Sequence, residues 1–164
     1  MLSTHPELWQ AILAFHPDHP TAILPFSKRL ALEQGWTRRY AVRAIEEYKK
    51  FIFLVCTAGH PVTPSEHVDE VWHLHLIYTR SYWDEFCGQV LKRPVHHNPT
   101  EGGPSEDARY HEQYQKTLET YAKVFGMAPP EDIWPPVAER FRRGIRQRSY
   151  PMTWFQAFKN RFLR

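Results

Sequence analysis

Asp69, Glu70, His73 and His75 fall within the single stretch VDEVWHLHL (68–76), and His96 and His97 stand side by side further along the chain. Carboxylates and neutral imidazoles are the donors that hold zinc or iron, and such an ion needs three or four of them. On a helix, positions i and i+4 share a face, so Asp69 and His73 can serve one ion, while Glu70 neighbours His73 at i, i+3. His75 lies about 200° round the helix from His73 at ~3.6 residues per turn. It therefore faces elsewhere, on the side of Trp72 and Thr79.

The remaining donors have to come from another segment, and HHNPTEGG supplies two. Neighbouring residues in extended backbone point opposite ways, so one imidazole of that pair reaches inward. Asp69 and His73 are the first expected ligands and His97 the third, with His75, His96 and His111 as lesser candidates. His111 forms a second i, i+4 pair, with Asp107. Of the ten histidines, seven lie between His60 and His111. Water activated on the ion would be a hydrolytic nucleophile, with Glu70 as base. The same residues also make sense with no ion. A His bonded to an Asp one turn away satisfies both groups, and buried Trp and Tyr need partners for their own N–H and O–H. The two readings, a metal site and a structural polar core, both stay open at this level.

Other chemistries find less support. There is no H-E-x-x-H run and no paired C-x-x-C. Glu70-x-x-His73 supplies half of a di-iron carboxylate pattern, with no second copy. Cys87, in EFCGQVL, reads as core rather than as a nucleophile, and no glycine-rich loop follows a strand to cradle a phosphate.

The elements that must position these residues read as helices. Pro6 opens ELWQAILAF, and Pro25 suits the first position of FSKRLALEQ, which Gly35 closes. Thr37 caps the longest element, RRYAVRAIEEYKKFIFLVCTA, closed by Gly59. Its apolar positions Val42, Ile45, Tyr48 and Phe51–Val55 begin as a stripe and end as a band apolar all round, which predicts a central helix. TPSE (63–66) reads as a capping box with Thr63 as N-cap, and RSYWDEFCGQVL continues that helix or restarts after Thr79. KRPVHHNPTEGGPS is loop. Ser105 is expected to cap EDARYHEQYQKTLETYAKVF, where Tyr114, Leu118, Tyr121 and Phe125 recur at helical spacing, and Gly126 closes it. No strand alternation is visible. The expectation is an all-α, single-domain helical bundle with structured Pro/Gly-rich loops over residues 1–137, followed by a basic aromatic segment over 138–164.

Length and composition agree. In 164 residues, 42% hydrophobic and 15% aromatic content is enough for a real core. Cys56 and Cys87 both sit in apolar segments; one disulfide is geometrically possible, but two buried thiols are the expectation. MLSTHPELWQ lacks the basic and apolar regions of a secretory signal, and FIFLVCTAG is far too short to span a bilayer. A cytoplasmic protein is expected, with peripheral membrane contact through its tail as an option. Residues 138–164 hold eight Lys or Arg and one acid, a net of +7 against +3 for the whole chain, which leaves −4 on the body. In PMTWFQAFKNRFLR, Trp154, Phe155, Phe158 and Phe162 make an aromatic stripe flanked by Lys159 and Arg161. Such a stripe suits a protein partner, an anionic membrane surface or the bundle itself. Nucleic acid is a poorer fit, because no recognised binding module accompanies the arginines. A non-enzymatic docking module is thus the alternative to a metal enzyme.

VDEVWHLHL, TRSYW, HHNPTEGG and DIWP, taken together, resemble the glycine-rich domain-containing-protein-like family of bacteria and, in longer forms, of plants and fungi. The resemblance covers about residues 45–136, and its distinctive part is the Asp-x-x-Trp-His-x-His run matched by Asp69, Trp72, His73 and His75. It implies little chemistry. The chain has seven glycines and no glycine-rich tail, so roles attached to that tail in longer proteins do not carry over.

Overall fold

Phe51, Ile52, Phe53 and Leu54 are consecutive and all essentially inaccessible to solvent. On a helix such a run points in every direction, so the element carrying it has to be enclosed. That element, α3 (Arg38–Thr57), is the axis of the computed structural model, which describes residues 4–98 and 103–141. Around it lie α1 (Pro6–Ala14), α2 (Phe26–Gln34), α4 (Glu66–Ile77), a π-helix (Arg80–Leu91), α5 (Pro104–Phe125) and the short α6 (Val137–Arg140). Among the described residues there is no strand, and the fold is the all-α single domain that the patterning predicts.

Many of the described aromatic residues are core, Phe51, Phe53, Trp72, Tyr82 and Trp134 among them, whereas Trp83 is exposed. Phe53 meets the edge of Trp9 from α1 at 5.3 Å, and Phe51 meets Trp72 of α4 at 5.5 Å and Trp134 at 6.3 Å. Each such ring contributes ~1.5–3 kcal/mol through burial. Val42 departs from the expected stripe. It is 44% exposed, because the first half of α3 buries only the face carrying Ala41, Ala44 and Ile45.

Helix ends follow the expected chemistry with three shifts, the first being that Pro25 is the N-cap of α2 rather than its first residue. Thr37 caps α3 through Tyr40 N–H, and Gly35 and Gly126 take left-handed backbone after α2 and α5. The cap of α4 is Ser65, not Thr63: Ser65 Oγ accepts from Val68 N–H at 3.2 Å. Thr63 is used across the bundle instead, its N–H donating to Thr117 Oγ1 and its hydroxyl to Gln113. α5 starts at Pro104 with Gly103 as its N-cap, so Ser105 lies inside the helix rather than capping it.

After Tyr78 the chain does restart, but as a π-helix whose hydrogen bonds run five residues back. Its buried residues Tyr82, Phe86, Cys87 and Leu91 are spaced four and five apart, which fits this wider winding better than 3.6 residues per turn. Lys92 ends it in left-handed backbone, φ 54°. Asp132 and Trp134 of the DIWP stretch buckle onto α3. Asp132 takes a bidentate pair from Arg43, and Trp134 Nε1 donates to the buried Glu47 carboxylate at 3.0 Å. No helix among the described residues is long and apolar enough to cross a membrane. The boundary expected at 137/138 falls within α6. The tail residues Trp154, Phe155, Phe158, Lys159, Arg161 and Phe162 lie outside the described residues, as does the expected Asp107 side-chain pairing.

Candidate metal centre

α4 positions the first two donors. Its cap and the burial of Val68, Val71, Trp72 and Leu74 fix its rotation against α3, and this leaves Asp69 and His73 on a partly exposed face. The third comes from the loop after the π-helix. His97 Nε2 lies 2.8 Å from Asp69 Oδ1, and His73 Nε2 lies 3.8 Å from the same oxygen. The His73 and His97 rings are 4.5 Å apart. One donor atom from each of the three residues lies within 4.8 Å of the other two. All three side chains keep some solvent access, Asp69 the least at 14%.

A tetrahedral zinc with bonds of ~2.0 Å requires donor separations of about 3.3 Å. The observed separations straddle that value, so small side-chain rotations would close the set on an ion. The Asp69–His97 contact places a proton between these atoms. An ion at the site would displace it, since a ligating imidazole nitrogen must be deprotonated.

The other candidates are placed elsewhere. His75 is fully buried, its Nδ1 2.9 Å from Tyr48 Oη and its ring edge-on to Tyr48 and Tyr82. Burial pushes its pKa down to about 3, so its imidazole is neutral, and it lies outside the three-donor group. His96 is exposed against Trp83, and His111 stacks on Phe141 at 3.8 Å. Glu70 is outside the three-donor group and accepts a hydrogen bond from Gln34 Nε2 at 3.0 Å.

Cys56 and Cys87 are free thiols, and burial raises the pKa of both, which disfavours a thiolate nucleophile. A cavity of about 440 Å³ between the 16–26 segment and the start of the π-helix is lined by His16, Phe26, Tyr78, Arg80 and Glu85 among others, and by none of the three donors. Sequence reasoning missed the support beneath His97. Tyr82 Oη donates to Val95 O at 2.5 Å and accepts from Trp72 Nε1 at 2.9 Å. No spacing rule joins a π-helix tyrosine to a loop carbonyl. The one legible hint was that buried Trp and Tyr need polar partners.

A family model described as UCP032817-like matches residues 26–127, more than half of the chain, and the chain belongs to that family. This replaces the glycine-rich domain-containing resemblance. The matched region begins at α2, well before residue 45, and ends just after α5, so DIWP falls outside it. Asp69, His73 and His97 all lie within it. No curated protein and no solved structure matches the chain.

Proposed function

We propose that Asp69, His73 and His97 form a mononuclear site for zinc or iron(II). The observation that carries this reading is the convergence of one carboxylate and two imidazoles, drawn from a helix and a loop 28 residues apart, to within 4.8 Å. One carboxylate and two histidines leave coordination positions for water and substrate, as in catalytic rather than closed structural sites. A zinc ion held by Asp69, His73 and His97 would supply a hydrolytic nucleophile by making water acidic near neutral pH. Glu70, one turn from His73 and oriented by Gln34, is the base in this reading. The same donor set suits non-haem iron(II), so the identity of the ion decides between hydrolytic and oxidative chemistry.

A second reading has its own observation. The 2.8 Å Asp69–His97 contact satisfies both groups with no ion. The cluster would then be structural, and the protein a docking module acting through its basic segment. Equilibrium dialysis of the metal-stripped protein against zinc or iron(II) separates the two. Stoichiometric uptake lost in His73→Ala supports the site, and no uptake supports the module.

A further inference from the structure

We infer that Tyr82 and Trp72 are positioning residues that hold His97 as the third ligand, an inference resting on the metal reading above. Asp69 and His73 need no special device, because one turn of α4 sets their separation. His97 comes from a stretch with no regular secondary structure. Its placement depends on what grips the backbone between Lys92 and Asn98.

The grip is a closed circuit of named contacts. Trp72, adjacent to His73 on α4, donates its indole N–H to Tyr82 Oη. The same hydroxyl donates to the carbonyl of Val95, two residues before His97. Val95 is itself buried at 4% exposure, and Arg93 N–H closes the loop start onto Cys87 O at 3.1 Å. The Trp72 ring then packs directly on the His97 imidazole, with centroids 4.4 Å apart. The indole thus sets His97 twice, once by contact and once through the hydroxyl that fixes its backbone. The Tyr82 ring is fully buried and packs against His75, so the hydroxyl has little room to move. Groups that orient metal ligands without touching the ion typically carry 10–100-fold of its affinity.

The test measures zinc affinity of the metal-stripped full chain by competition with a chromophoric chelator, alongside the melting temperature of each protein. Tyr82→Phe keeps the ring and removes the hydroxyl. Trp72→Phe keeps an aromatic face near His97 and removes the N–H. Tyr121→Phe is the control: its hydroxyl is also buried and also makes two bonds, to Glu47 and Lys50, but none to this loop. The expected result is about 10–100-fold weaker zinc binding in Tyr82→Phe and Trp72→Phe, with wild-type affinity in Tyr121→Phe even where its melting temperature falls. Should Tyr82→Phe fail to fold, Trp72→Phe tests the same circuit from its other end. Wild-type affinity in both test variants overturns the positioning role while leaving the metal site standing. Equal weakening in all three shows a general stability effect and overturns it as well. Absence of both zinc and iron(II) binding in the wild type overturns the metal reading and this inference together.

Discussion

His97 Nε2 sits 2.8 Å from Oδ1 of Asp69, and those two residues are separated by the end of α4, the whole π-helix and an irregular loop. Asp69→Asn keeps the side-chain shape and removes the charge that an ion would need. It is expected to fold and melt close to wild type yet lose stoichiometric zinc or iron(II), as measured by dialysis. Retained metal would remove Asp69 from the site.

His75 separates core from site on the same helix. Replacing it with Phe leaves the buried Tyr48 hydroxyl without its partner, at a cost of about 1–3 kcal/mol, while metal uptake is unchanged. Urea unfolding and dialysis on one preparation check both halves. Lost metal with unchanged stability would reverse the assignment.

The depressed pKa of His75, about 3 against an ordinary value of 6.5, also predicts an acid-side slope. Below pH 6.5 the unfolded chain takes up a proton that the folded chain refuses, so stability is full above that pH and falls toward pH 3. The slope is at most about 1.4 kcal/mol per pH unit. Urea midpoints across pH 4 to 7 should be steeper with pH for wild type than for His75→Phe. Parallel curves would contradict it.

Glu47 is buried and takes hydrogen bonds from Lys50, Tyr121 and Trp134. Glu47→Ala strands the Tyr121 and Trp134 donors, leaves Lys50 with Tyr121 Oη alone, and should cost on the order of 3–5 kcal/mol, a large share of a typical domain's stability. A loss below about 1 kcal/mol in denaturant titration would show that the network contributes little.

The cap of α4 sets the first turn that carries Asp69. Ser65→Ala is expected to lower stability by ~1 kcal/mol, read by the shift in urea midpoint. No shift would show that the turn holds without Ser65.

Helix content was legible because glycines, prolines and caps punctuate α1 to α3 in the order that physics demands. The apolar band at Phe51–Leu54 marked α3 as central before any packing was seen. Asp69 and His73 were legible through the period of the helix, while alternation in the loop said only that one of His96 and His97 turns inward. What stayed hidden depends on long-range contacts. Thr63 and Ser65 are equally good caps locally, and the cross-bundle bonds of Thr63 to Thr117 and Gln113 decide between them. The π-winding of 80–91 breaks the period by which faces are read, so Tyr82 could not be placed against Val95. The stacking of His111 on Phe141 was hidden for a similar reason, since the two are remote in sequence. Val42 shows the converse, an apolar residue on a stripe that no neighbour covers.

The most direct test is elemental analysis by mass spectrometry of untagged protein purified without added metal or chelator, beside His73→Ala prepared identically. The metal-site reading predicts close to one zinc or iron per chain in wild type and none in the folded variant. Folded wild-type protein that carries no transition metal and takes none up would contradict it, and would leave Asp69, His73 and His97 as a hydrogen-bonded cluster of the fold.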